Sequence, residues 1–285
     1  IYKIFPEKDN TFYSSNPLIN AGLDSILEIS NENFPLGSEE ISRILMQFPQ
    51  ETIEKIVNKT SGEYKAFIKM YIANSLSLPD TYTIYANPIS GSWSEGVGKY
   101  LYNPPYIEGS NWVNRNTGEA WQTSNYDIGV TGSFMSGNPG GACWYSLYQA
   151  SQSFDINDIK DIEIDVTNII SEFVSGNIDN NGIVLRIENK YEFDSSSLFS
   201  LKYFSKDTHT IYPPQLEIRW DDSNYSTGSL KGFSGTEPTI TLGNNKGIYN
   251  QGEVCKFKIN ARDKYPSRQF VTESVYNINK AFNAA

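Results

Sequence analysis

The chain has 285 residues, with 33 acidic against 23 basic side chains and a formal net charge of -10. At roughly 150 residues per domain, that length accommodates two domains. Aromatic residues at 14% supply the apolar mass for a substantial core, which excludes a wholly disordered chain. No run approaches ~20 consecutive apolar residues, so no membrane span is expected. No nucleic acid partner is expected either, because phosphate contacts need clustered Lys and Arg and the chain has no basic block. The polar surface is instead supplied by 28 Asn and 32 Ser, a composition common in extracellular or particle-borne β-proteins.

In chain order, GLDSILEIS (22–30) fits either a strand or a helix. ISRILMQF (41–48) alternates, with Ile44, Met46 and Phe48 on one face and Arg43, Leu45 and Gln47 on the other, the pattern of a sheet strand. PQETIEKIVNK (49–59) places Ile53, Ile56 and Val57 at helical spacing, with acidic residues early and Lys59 late, as the helix dipole favours. EYKAFIKMYIANSL (63–76) reads as one alternating run and TYTIYANPI (81–89) as another strand. The next stretch, 90–150, is rich in Gly, Asn, Trp and Tyr and has little regular periodicity.

Beyond it the pattern sharpens. DIEIDV (161–166) sets Ile162, Ile164 and Val166 against Asp161, Glu163 and Asp165. TNIISEFVSG (167–176) predicts a short helix with Asp165 or Thr167 as N-cap and Gly176 as its stop. Asn181-Gly182 predicts a turn into a strand carrying Ile183, Leu185 and Ile187. SLFSLKYFS (197–205) and QLEIRW (215–220) are further strands. Many short strands, Gly/Asn turns and few helices predict an all-β protein: an antiparallel, jelly-roll-like β-sandwich over 1–222 with one or two short helices. Residues 223–237, small and polar, read as a linker. PTITLG, EVCKFKINA and RQFVTESVYNI then predict a smaller Ig-like β-domain over 238–285, incomplete as it stands. The chain opens on Ile1 and closes without a stop-like tail, which reads as part of a longer chain.

Few chemistries fit. Cys143 and Cys255 form no CxxC pair, so a cysteine zinc site is excluded, and two free thiols are expected in preference to a disulfide. His209 is the single histidine, which removes two-histidine metal sites; it is expected in a loop or at a strand edge. GSWSEG around Ser92 and Ser94 is not the hydrolase serine motif, and NPGGACW lacks the lysine of a phosphate loop. The 33 acidic residues make glycosidase-like pairs uninformative. DNNG (179–182) and WDDS (220–223) carry calcium-type oxygen ligands, but each is expected to be a turn or a strand end. No catalytic residue, cofactor or metal is therefore expected.

The aromatic stretch stands out. Trp93, Trp112, Trp121 and Trp144 lie there with Tyr100, Tyr102, Tyr106, Tyr126 and Tyr145 between them. Such side chains build a core, bury at protein interfaces or stack on sugar rings. Trp121 and Trp144 are assigned to the core. Trp93, Trp112, Tyr100, Tyr102 and Tyr106 are the interface candidates.

FPEKDNTFYSSNPLINAGLDSILEI followed by SRILMQF resembles the opening of a family of virion structural proteins from large contractile-tailed bacteriophages. The matching positions are Asn20, Gly22, Asp24, Ile26, Leu27, Glu28, Ser42 and Arg43. GSWSEGVGKY, GSNWVNR, LKYFSKDTHTIYPPQLEIRWDDS and YPSRQFVTESVYNINKAF look like the same family. IDVTNIISEFVSG with NNGIVLRIE is also similar to β-sandwich domains of the DNRLRE type. The resemblance covers most of 1–222 and touches 265–282. It implies a non-enzymatic virion component of neck, tail, baseplate or fibre, whose partners are other virion proteins in a homo-oligomer or symmetric assembly. The alternative is a host-surface or carbohydrate-binding module whose partner is a glycan.

Overall fold

The computed structural model describes residues 1–34, 38–60, 63–121, 130–135, 138–194, 196–221 and 238–263. The chain divides into two compact units, Ile1–Asp222 and Ser223–Ala285. The expected linker and the RQFVTESVYNI stretch lie outside the described residues.

The first elements are β1 (Tyr2–Ile4), β2 (Lys8–Tyr13), β3 (Ile26–Phe34), β4 (Ser38–Gln47), α1 (Gln50–Val57), β5 (Tyr64–Met70), β6 (Ile72–Leu76) and β7 (Thr81–Pro88). The aromatic stretch holds β8 (Asn114–Asn116), β9 (Glu119–Ala120), β10 (Val130–Met135) and β11 (Asn138–Tyr145). β12 (Ala150–Asp155), β13 (Ile162–Asp165), α2 (Thr167–Ser175), β14 (Ile183–Ile187), α3 (Asn189–Glu192), β15 (Phe199–Phe204) and β16 (Gln215–Trp220) complete the first unit. β17 (Pro238–Gly243) and β18 (Lys258–Asp263) pair antiparallel in the second.

The protein is all-β, and every strand pairing among the described residues is antiparallel. Four strands form one sheet in the order β1-β16-β5-β13. A larger sheet runs β12-β7-β14-β4-β3-β15-β6, with β2 also paired to β4. Ile44, Met46, Leu185 and Leu201 of the large sheet join Ile68, Ile164, Leu216 and Ile218 of the small one in a single buried cluster, the interior of a sandwich. α1 and α2 contribute Ile53, Ile170 and Phe173 to it. α2 ends on Gly176 in the left-handed region, φ 72°, as expected. Its N-cap is Val166, and the Asp165 carboxylate accepts the Thr167 amide at 3.0 Å.

Two expectations change. The run 63–76 is not one strand: it breaks at Tyr71, so that β5 lies in the small sheet and β6 in the large one. The stretch 90–150 is not merely irregular, since β8–β9 and β10–β11 are hairpins within it. Their alternation is masked in sequence by Pro139, Gly140 and Gly141 inside β11.

That stretch covers the outer face of the large sheet. Phe12, Ile41, Leu45 and Val184 meet Ile89, Trp93, Trp112, Trp121, Cys143 and Trp144 in a second buried cluster. Each buried indole removes about 150–250 Å² from water, a gross gain on the order of 4–6 kcal/mol before ordering entropy. A gain of that size offsets part of the cost of ordering a weakly periodic backbone. Under this layer Arg43 and Arg186 are buried as well.

Candidate protein interface

The Asn-x-Gly-x-Asp segment and the aromatic stretch build one site. The Asn20 amide is wholly buried. Its Nδ2 donates to the carbonyls of Glu95 at 2.6 Å and Ser110 at 2.7 Å, and its Oδ1 accepts the Gly98 amide at 2.8 Å. The Asn20 backbone N–H donates to the Tyr106 carbonyl and the Leu23 backbone N–H to the Gly98 carbonyl, each at 2.9 Å. Asp24 Oδ2 accepts the Tyr100 amide at 3.0 Å. A β-carbon on Gly96 or Gly98 would overlap Asn20, and Gly96 also has φ +81°. The glycines of this stretch therefore let its backbone close on a single amide.

The 97–107 loop held by this clamp exposes Val97, Leu101, Tyr102 and Ile107. Leu101 is 88% exposed, and Val97, Tyr102 and Ile107 are each about half exposed. Tyr106 is half-buried, with its hydroxyl donating to Glu108 at 3.1 Å. Tyr100 turns inward: its ring meets Tyr13 at 4.4 Å between centroids, and its hydroxyl donates to Glu40 Oε2 at 3.2 Å. Ser15 donates to the same Glu40 oxygen.

Beneath Leu101 lies a groove of about 470 Å³ lined by Tyr13, Asp24, Glu28, Glu32, Glu40, Tyr100 and Lys202. Lys202 Nζ sits 3.5 Å from Glu28 Oε1 and is the one cation among the lining residues, set against four carboxylates. Burial raises the Glu40 carboxyl above its ordinary value, against the lowering effect of the Ser15 and Tyr100 hydrogen bonds; Glu28 and Glu32 raise it further. Burial, followed by Glu40, pushes the Tyr100 hydroxyl up to about 12.

The structure corrects two interface candidates. Trp93 is 3% exposed and Trp112 0%, so neither offers a face to a partner. Trp93 Nε1 donates to the Asn181 carbonyl at 2.8 Å, and the Arg43 guanidinium lies 4.8 Å from the Trp112 ring centre. Hydrophobic packing on the outer sheet face, invisible to local periodicity, claimed them. Trp121 and Trp144 are buried as expected.

Burial pushes the buried Cys143 thiol up to about 11, and neither Cys143 nor Cys255 forms a disulfide. His209 is exposed in the turn after β15. In DNNG the Asn180 side chain accepts the Gly182 amide at 3.2 Å, a turn. Of WDDS, Asp221 is exposed, and the last two residues lie outside the described set. The sequence reading missed Asp9, Glu95 and Asp207, whose carboxylates lie within 4.8 Å of one another. They are 86 and 112 positions apart, and no local signal joins them. Among the described residues no helix is long and apolar enough to cross a membrane.

The fold and this loop define a class no finer than an all-β module with an outward apolar loop beside an acidic groove. No protein-family model matches the sequence, and no curated protein matches it.

Proposed function

We propose that this chain is a non-enzymatic structural component of a tailed-phage virion, assembled through protein–protein contacts at the 97–107 loop. The observation that carries the interface is Leu101, 88% exposed on a loop whose backbone is fixed by Asn20 and Asp24. A large apolar side chain on a rigid support loses little ordering entropy when it docks. The acidic groove beneath it suits a partner that offers Lys or Arg beside an apolar pocket. The virion assignment rests on the sequence resemblance, and the structure gives its motif positions a physical role. Asn20, Gly22 and Asp24 clamp the loop, Ser42 bonds Ser30 at 2.8 Å between hydroxyls, and Arg43 is buried in the outer layer.

The test is cross-linking from a photoreactive residue at 101 in purified particles of the phage that encodes the chain. A cross-link to another virion chain, or to a second copy, is expected. Absence of the chain from purified particles would refute the reading. The glycan alternative loses its tryptophan platforms to burial and gains no specific support; saturable binding on a glycan array would revive it.

A further inference from the structure

Asp9, on β2, is 1% exposed. Its Oδ2 accepts the Lys206 amide at 2.6 Å, whereas its Oδ1 has no hydrogen-bond partner among the described residues. A buried carboxylate oxygen without a donor is costly unless a cation or water satisfies it. Beside Asp9 stand Glu95, from the aromatic stretch, and Asp207, from the turn after β15, with one carboxylate oxygen of each of the three residues inside a 4.8 Å set. Lys206 Nζ contacts Glu95 Oε1 at 3.2 Å and Asp207 Oδ2 at 3.0 Å. Glu95 Oε1 also accepts the Asp9 backbone amide at 2.9 Å. With all three carboxylates ionised, the cluster carries three negative charges against one ammonium, leaving a deficit of two.

We propose that Asp9, Glu95 and Asp207 form a divalent cation site of calcium type, with Lys206 as its internal neighbour. Hard oxygen donors from three separate segments suit calcium, which tolerates irregular geometry and completes its shell with water; magnesium demands a near-ideal octahedron. An ion there would tie β2, the aromatic stretch and the turn after β15 together, and so fasten the outer layer to the sheet. This inference is independent of the interface reading, because none of the three residues lies in the 97–107 loop.

The experiment is isothermal titration of the full chain, stripped with chelator, with calcium chloride, alongside thermal unfolding in calcium and in chelator. One ion per chain is expected, with a dissociation constant of about 10⁻³ M or tighter, as for sites with few ligands, together with a calcium-dependent rise in Tm. Asp9→Asn keeps an oxygen for the Lys206 amide and should weaken binding at least ~10-fold. Asp207→Asn, at a less buried position, should do the same and serves if the first variant misfolds. Glu119→Gln, on the exposed β8–β9 hairpin, should bind as the parent does. No saturable binding at millimolar calcium would overturn the proposal, and so would binding that survives both Asp9→Asn and Asp207→Asn.

Discussion

The Arg43 guanidinium and the Glu192 carboxylate meet at 2.6 Å with neither side chain exposed, although 149 residues separate them. Arg43 comes from the middle of β4 and Glu192 from the end of α3, the short turn of helix that follows β14. The same guanidinium donates to the Gly141 carbonyl at 2.8 Å and packs against the rings of Trp112 and Trp144. The Arg186 guanidinium also packs on Trp144, 5.0 Å from its ring centre. The pair thus anchors the aromatic layer to the centre of the large sheet.

Removing one partner leaves a buried charge without compensation, at a cost of about 3–5 kcal/mol. Glu192→Ala should therefore lower stability to urea by that amount. Replacing both partners with apolar residues should recover part of the loss. A single-variant loss below about 1 kcal/mol, the range of a surface pair, would show that the pair contributes little.

The burial of Trp112 and Trp93 fixes the expected effect of truncating them. Trp112→Ala should destabilise the isolated chain by about 3–5 kcal/mol, the range for large-to-small core changes. Leu101→Ser should stay within about 0.5 kcal/mol of the parent, as exposed substitutions do. In a partner-binding assay the order reverses if Leu101 is a hot spot, with a loss of about 2 kcal/mol or more. Denaturant titrations of both variants in the absence of partner decide the first half.

The Asn20 clamp predicts a local rather than global effect. Asn20→Ala removes the acceptor of the Gly98 amide and the donor to Glu95 and Ser110. Hydrogen exchange at Gly98 and Tyr100 should accelerate, while amides of β5 and β16 in the small sheet keep their protection. Uniform acceleration across both sheets would mean that the clamp is part of the global fold.

Glu40 gives a pH test. Its folded-state value lies above the ordinary 4.5, so the folded chain holds this proton more tightly than the unfolded chain does. Stability contributed by the protonated form is present below pH 4.5 and is lost as pH rises through the raised value. Glu40→Gln cannot ionise and escapes that loss. The Tm of the variant relative to the parent should therefore climb as pH rises from 4.5, and a flat difference would contradict the assignment.

Local periodicity in the sequence determined the strands that bury one face. Ile44 and Met46, Ile162 and Ile164, and Leu216 and Ile218 alternate with period two and all point into the sandwich. It also determined α1, α2 and the Gly176 stop, because helix spacing and the left-handed cap are properties of adjacent residues. Tertiary structure alone decided what covers the outer face of the large sheet. Arg43 and Leu45 share that face, and no neighbouring residue indicates that Trp112 and Trp144, 69 and more positions away, will close over it. The break at Tyr71 is likewise hidden, since the apolar pattern continues while the chain changes sheets. Asp9, Glu95 and Asp207 meet for the same reason. Side-chain alternation depends on the local backbone, whereas the company a side chain keeps depends on strand pairings that join distant segments.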